Sequence, residues 1–137
     1  MDTELTVSEF LREWLLVRRS RLQPQTIYGY EGVIRRYLEP QLGHLPLEEL
    51  DVRTLERTWA RLLHSGGQKG RPLAPKSVRG IAAVLAAALQ HAVKTGLLDR
   101  NPARHATTPH EGLPGDSSYP DEPGGSHHVN NVARNYI

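Results

Sequence analysis

Apolar side chains recur every three or four positions along four separate stretches of this 137-residue chain. That spacing places them on one face of an α-helix, whereas a half-buried strand would need strict alternation. The stretches cover residues 7–19, 24–38, 52–64 and 75–95. Since no segment alternates in the manner of a strand, the sequence predicts an all-α fold, a compact four-helix domain with short connections.

The ends of these helices carry their own signals. Thr6 and Glu9 form a capping box before the first helix, because the hydroxyl and the carboxylate can each satisfy a free backbone N–H. Asp51 is the expected N-cap of the third helix. The expected stop signals are Pro40 and Gly43 after the second helix and Gly96 after the fourth.

Aromatic residues fall on the apolar faces of the predicted helices. Trp14 shares such a face with Phe10 and Val17 on the first helix, and Trp59 lies on the apolar face of the third. Large rings in these positions bury much apolar surface on folding. We therefore expect Trp14, Trp59 and Tyr37 to belong to the core, since each lies on the apolar face of its helix.

The composition of the chain changes after Ala103. Residues 6–103 contain 15 Lys and Arg against 9 Asp and Glu, whereas both flanking segments are net acidic. Residues 104–137 are rich in Pro, Gly, Ser, Asp and His and show no apolar periodicity. We predict an N-terminal arm over residues 1–5, a basic folded domain over residues 6–103, and a disordered tail over residues 104–137.

Composition also excludes several classes of protein. The chain has no cysteine, which excludes disulfides and thiolate metal sites. No run of about 18 apolar residues could span a membrane, and the first residues lack the basic and apolar segments of a signal peptide. We expect a cytoplasmic protein with no cofactor, no bound metal, no membrane association and no small-molecule substrate.

One local pattern occurs twice. Residues 22–27 and 73–78 both have the order Leu-x-Pro-x-(Thr/Ser)-(Ile/Val), with proline at the first helical position and a hydroxyl two positions later. Free N–H groups and the positive end of the helix dipole allow such a first turn to bind phosphate. Lys69 and Arg71 precede the second copy and add positive charge. The pattern favours a polyanionic partner, although helix starts of this kind also occur in proteins without a ligand there.

An ordered series of motifs spans residues 6–103. It comprises Thr6-Val7-Ser8-Glu9-Phe10-Leu11, Leu22-x-Pro24-x-Thr26-Ile27-x-x-Tyr30, Leu38-x-Pro40-x-Leu42-Gly43, Leu73-x-Pro75-x-Ser77-Val78 and Arg100-Asn101-Pro102-Ala103. No single motif is specific, but the series resembles the core-binding, or SAM-like, domain of phage-type tyrosine integrases.

The resemblance implies a small helical bundle that forms half of a C-shaped clamp around double-stranded DNA at a recombination core site. Two helices of that family face the DNA, and by position they correspond to the second and fourth helices here. The implied DNA contacts are Gln25, Thr26, Lys76, Ser77 and Arg79 on the helices and Lys69 and Arg71 on the loop before the fourth helix. Ala74 departs from the serine or threonine common at that N-cap, which weakens the cap.

In that family the DNA is cut by a separate catalytic domain with a nucleophilic tyrosine, and the present sequence offers no equivalent. Tyr136 lies near the end, but His128 and Arg134 are six residues apart rather than the three of a His-x-x-Arg box. We therefore predict a DNA-binding module without catalysis of its own, truncated before the catalytic domain.

Two alternatives stay open. One is a helical module whose alanine-rich fourth helix binds other proteins, integrase protomers included. The other is an inert remnant of a truncated integrase.

Overall fold

The computed structural model describes residues 4–109. Within this range the chain forms only helices and turns, with a single isolated bridge between Thr6 and Pro46. The α-helical segments are α1 (Val7–Arg19), α2 (Pro24–Val33), α3 (Glu39–Leu42), α4 (Val52–Ser65) and α5 (Pro75–Lys94). A π-helical turn, Ile34–Leu38, joins α2 to α3 without a break. The described chain therefore has four continuous helical stretches, and the predicted all-α fold is confirmed.

The second helical stretch corrects one prediction, because Pro40 does not end it. Proline lacks an N–H, and in a regular α-helix its ring would crowd the carbonyl four residues earlier. The π turn ends at Leu38, two residues before Pro40, and widens the backbone, so that the N–H of Glu39 bonds to the carbonyl of Ile34, five residues back. The helix then continues to Leu42, with Gly43 as its C-cap.

Gly43 also lets α1 approach closely. The N–H of Ser8 donates to the carbonyl of Gly43 at 3.0 Å. A Cβ at position 43 would lie 3.1 Å from the Cβ of Ser8 and 2.7 Å from the carbonyl oxygen of Glu39. A side chain at position 43 would therefore collide both with α1 and with the backbone of the last turn of α3, so the position requires glycine.

The helix α5 runs through the centre of the domain and packs against α1, α2 and α4. Its inner face is fully buried and consists of Val78, Ile81, Val84, Leu85, Ala88, Leu89 and Ala92. Both tryptophans, Trp14 and Trp59, are buried against this core as predicted. The core therefore forms where α1, α2 and α4 pack against α5.

The start and end of α1 differ in how well they follow the predicted pattern. The capping box is present, with the N–H of Glu9 donating to the Thr6 hydroxyl at 3.1 Å and the Thr6 N–H donating to the Glu9 carboxylate at 3.0 Å. Val17, in contrast, was placed on the apolar face of this helix and is 47 % exposed. The buried stripe of α1 is centred on Leu11 and Trp14, and the helical period places Val17 at its edge.

Contacts extend beyond both predicted domain boundaries. At the N-terminal side, the carbonyl of Leu5 accepts from the N–H of Leu47 at 2.8 Å, and Leu5 packs against the core. At the other side, the N–H of Thr107 donates to the Glu56 carboxylate at 2.7 Å. Residues 107 and 109, which the sequence placed in the tail, therefore contact the helical part of the chain. The remainder of the predicted tail, with Tyr136, lies outside the described residues.

Candidate nucleic-acid interface

The two helix starts predicted to contact DNA have the same backbone geometry. Gln23 before α2 and Ala74 before α5 both have φ −67° and ψ 148°, and each is followed by a proline at the first helical position. Neither start receives a hydrogen bond from a capping side chain. Because proline has no N–H, the first backbone donors of these turns are those of Gln25 and Lys76, and both point out of the helix end. Each turn can therefore offer a backbone donor and the positive end of its helix dipole to an anion.

The side chains of these turns are partly or fully accessible. Gln25 and Lys76 are exposed, and Thr26 and Ser77 are half-buried. A side-chain hydroxyl next to the free donor adds a further hydrogen bond to a phosphate oxygen. The structure therefore leaves the predicted residues of both first turns able to reach a ligand.

The loop before α5 forms a defined turn rather than an unstructured connection. The N–H of Gly67 donates to the carbonyl of Arg71 at 2.6 Å, which closes the loop on itself. Lys69 and Gly70 have φ of 57° and 75°, in the left-handed region, and the exposed Lys69 side chain is carried by the tip of this turn. Gly67 is needed for the closure, since a Cβ there would lie 2.9 Å from the Arg71 carbonyl oxygen.

This loop borders a groove whose other side is the π turn. The groove has a volume of about 680 Å³ and is lined by Arg36, Tyr37, Gly67, Gln68, Lys69, Arg71, Pro72 and Leu73. It brings Lys69 and Arg71, both predicted contacts, to one surface with Arg36, which was not among them. The Arg36 guanidinium can join them because the side chain is exposed on the π turn. A groove lined by these cations attracts anions more strongly than any one of them alone.

The predicted residues therefore fall into two groups along the fold. Lys69 and Arg71 line the groove, and Lys76 and Ser77 lie a few residues later, in the first turn of α5. Gln25 and Thr26 begin the other helix, eleven residues before Arg36. At 1.5 Å of rise per residue they lie about 16 Å along that helix from the groove.

Arg79 is in a different situation from the other predicted contacts. Its side chain is half-buried on α5, and Nη1 donates to the carbonyl of Pro109 at 3.2 Å. The acceptor belongs to the segment that follows the predicted end of the domain. Arg79 is therefore engaged within the protein, whereas Lys76, one turn earlier on the same helix, is exposed.

The arginines of α4 recur at every fourth position and form a ridge along the helix. Arg53, Arg57 and Arg61 are all exposed, and Arg61 Nη1 donates to the amide oxygen of Gln41 at 2.9 Å.

Among residues 4–109, no group of three or more His, Asp or Glu side chains could hold a metal ion. None of the helices described here is long and apolar enough to cross a membrane.

Comparison with known proteins agrees with this architecture. The phage integrase N-terminal SAM-like domain family matches residues 6–63. The phage integrase SAM-like domain from Moorella thermoacetica, solved by NMR, is 34 % identical, with a TM-score of 0.66 over 83 % of this chain and 93 % of that one. The chain belongs to the phage integrase SAM-like domain family.

A second solved structure supports the fold of this SAM-like domain. The integrase-like domain from Bacillus cereus is 24 % identical, with a TM-score of 0.68, and the match covers 80 % of this chain and 88 % of that one. No curated protein matches the chain. The family match and the Moorella domain confirm the resemblance deduced from the order of motifs.

Proposed function

We propose that this SAM-like domain binds double-stranded DNA as the core-binding part of a site-specific tyrosine recombinase, at the recombination core site used in DNA integration. The observation that carries the proposal is the cationic lining of the groove beside the loop that leads into α5. Arg36, Lys69 and Arg71 line the groove, and the exposed Lys76 follows at the uncapped start of the helix.

The charge of the domain fits a polyanionic partner. The described residues 4–109 carry 16 Lys and Arg against 10 Asp and Glu, a net charge of +6. Duplex DNA carries a negative charge for about every 1.7 Å of its axis, so several cations on one surface can each meet a phosphate. Contacts of this kind fix the position of the protein on DNA without determining sequence.

The start of α2 supplies a different kind of group. Gln25 is exposed at the end of the helix, and a glutamine amide can form a paired hydrogen bond with adenine in the major groove. Its distance of about 16 Å along the helix from the groove is comparable with the width of a major groove and its flanking backbone. The proposal therefore assigns backbone binding to the groove and the start of α5, and base contact to the start of α2.

The proposed role is binding, with strand cleavage assigned to a catalytic domain separate from these residues. The alternative of a helix-docking surface on the alanines of α5 has less support. Ala82, Ala88 and Ala92 are buried in the domain's own core, Ala83 and Ala86 are half-buried, and Ala87 is the exposed member of the set.

Fluorescence anisotropy with the full chain and a labelled duplex of random sequence tests the proposal. With about five phosphate contacts, log K should fall with a slope near −4 to −5 against log salt, with affinity in the micromolar range. Lys76→Ala should weaken binding to all sequences and reduce the slope by about 1. Lys94→Ala is the matched control, because Lys94 is an exposed lysine at the opposite end of the same helix.

A slope near zero for the folded wild-type protein would contradict the proposal. Equal losses for the two lysine variants would contradict the placement of DNA at the start of α5. Absence of binding at low salt, from a sample whose helices are intact by circular dichroism, would favour an inert remnant or a protein-binding module.

A further inference from the structure

The segment 101–109, hereafter the strap, returns along α5 after the helix ends. Gly96 adopts φ 87°, and its N–H donates to the carbonyl of Val93 at 3.1 Å. The N–H of Leu97 donates to the carbonyl of Ala92 at 2.8 Å, which completes a Schellman motif and reverses the chain. The strap therefore runs antiparallel to the helix that precedes it.

Hydrogen bonds hold the strap at both ends. At its beginning, Asn101 Nδ2 donates to the carbonyl of Ala86 at 3.0 Å and to Gln90 Oε1 at 3.3 Å. Further along, the N–H of Thr107 donates to the Glu56 carboxylate on α4 at 2.7 Å, and the carbonyl of Pro109 accepts from Arg79 at 3.2 Å. The strap thus lies across both α4 and α5.

The strap follows one face of α5. Gln90, Ala86, Ala83 and Arg79 are spaced by three or four residues, which places them in one row along the helix. Asn101 meets this row at Gln90 and Ala86, and Pro109 meets it at Arg79. The small side chains of Ala83 and Ala86 between these points allow a backbone to lie close to the helix. The strap therefore contacts both ends of the row, and one of those ends is Arg79, a proposed DNA contact.

We infer that the strap competes with DNA for Arg79, and that release of its far end is a step in DNA binding. The inference rests on the proposed function. The Pro109 carbonyl is neutral, whereas a phosphate oxygen carries a negative charge and adds Coulombic attraction to its hydrogen bond with the guanidinium. DNA at the start of α5 can therefore displace Pro109. The charge-assisted bond from Thr107 to Glu56 opposes that displacement, since it is the anchor nearest to Arg79 along the strap.

Two substitutions at Glu56 distinguish the loss of its hydrogen bond to Thr107 from the loss of its negative charge. Glu56→Ala removes the acceptor of the Thr107 N–H together with the negative charge, whereas Glu56→Gln removes the same charge and keeps an oxygen acceptor. Anisotropy with a labelled duplex should show Glu56→Ala binding about three- to tenfold more tightly than Glu56→Gln, the range expected for losing one such hydrogen bond. In an Arg79→Ala background the two Glu56 variants should bind equally, because the contact controlled by the strap is gone.

Amide hydrogen exchange gives a second, independent measurement. The N–H of Thr107 should be protected in the free protein and lose protection when the duplex is saturating, while amides at the centre of α5 stay protected. Equal affinities of the two Glu56 variants, or Thr107 protection unchanged by DNA, would overturn the inference and leave DNA binding by the domain intact. A difference between the Glu56 variants that persists without Arg79 would overturn the assignment to that arginine. If no folded variant binds DNA at low salt, the proposed function and the inference both fail.

Discussion

The side-chain amide of Asn101 donates a hydrogen bond of 3.0 Å to the main-chain carbonyl of Ala86, near the middle of α5. The same side chain accepts from the N–H of Ala103 through Oδ1, also at 3.0 Å. Asn101 is 5 % exposed, and it is one of two polar side chains buried among the described residues. The Asn-Pro-Ala motif, which contributed to the family resemblance, therefore joins the strap to the central helix.

We expect Asn101→Ala to lower the free energy of unfolding by about 2 kcal/mol, because it removes these bonds and leaves a half-buried backbone N–H without its acceptor. Urea denaturation followed by circular dichroism measures the change. Asn101→Asp should be at least as destabilising, since it places a carboxylate against the Ala86 carbonyl. A loss below about 0.5 kcal/mol for the alanine variant would mean that the strap contributes little to stability.

Arg36 should contribute to DNA binding although its sequence position gave no such indication. We expect Arg36→Ala to weaken duplex binding and to reduce the salt slope by about 1, because one phosphate contact is lost. Arg53→Ala is a charge-matched control on the exposed face of α4. The assignment of the groove is contradicted if the two arginine variants reduce the slope equally.

Asp51 should make the stability of α4 dependent on acid pH. Its Oδ1 accepts from the N–H of Thr54 at 2.8 Å, and this bond lowers the pKa of the carboxyl below its ordinary value of 3.8. The stabilising contribution is complete above that ordinary value and is lost as pH falls through the lowered native pKa. Asp51→Asn keeps an oxygen at the cap but does not titrate. Between about pH 5 and pH 2 the wild-type protein should therefore lose stability relative to Asp51→Asn, and parallel pH profiles from thermal denaturation would refute this role.

Gly96 provides a test of backbone conformation alone. A Cβ at this position would meet no atom within 4 Å, so the cost of a side chain comes only from φ 87°. We expect Gly96→Ala to destabilise the domain by about 1–2 kcal/mol. Gly96→Asn should cost less, because asparagine tolerates the left-handed region better. Equal stabilities of wild type and Gly96→Ala in urea denaturation would show that the turn can form without glycine.

Short-range features of the fold could be predicted from sequence. The starts of α1 and α4 depend on the Thr6–Glu9 box and on Asp51, whose partners are three residues away. The prolines that begin α2 and α5 and the glycine that ends α5 also act within one turn. Such interactions involve neighbours in the chain, so their residue types are enough to locate them.

Long-range contacts could not be predicted in this way. The passage of the second helix through Pro40 depends on a widened turn that has no marker of its own in the sequence. The strap joins Thr107 to Glu56 and Pro109 to Arg79 across 51 and 30 residues. Arg36 reaches the groove because the loop at 67–73 folds against the π turn. The predicted contacts at Lys69, Arg71, Lys76 and Ser77 are accessible, but their role in binding DNA stays a prediction.

The π turn before Pro40 also determines how this chain tolerates changes of length. A turn that bonds to the fifth residue instead of the fourth contains one residue more than a regular helix would need. Deleting a single residue within 34–38 would restore a regular turn and keep α3 in nearly the same rotational position, because five residues of a π turn cover about the same arc as four residues of an α-helix. The ring of the proline would then crowd the carbonyl four residues earlier, at a cost of about 3 kcal/mol. Inserting a residue would instead rotate α3 by about 100°, which would move Leu42 out of the core and Gly43 away from Ser8. The helix is therefore one residue longer than its path requires, and it should tolerate a deletion at this point better than an insertion.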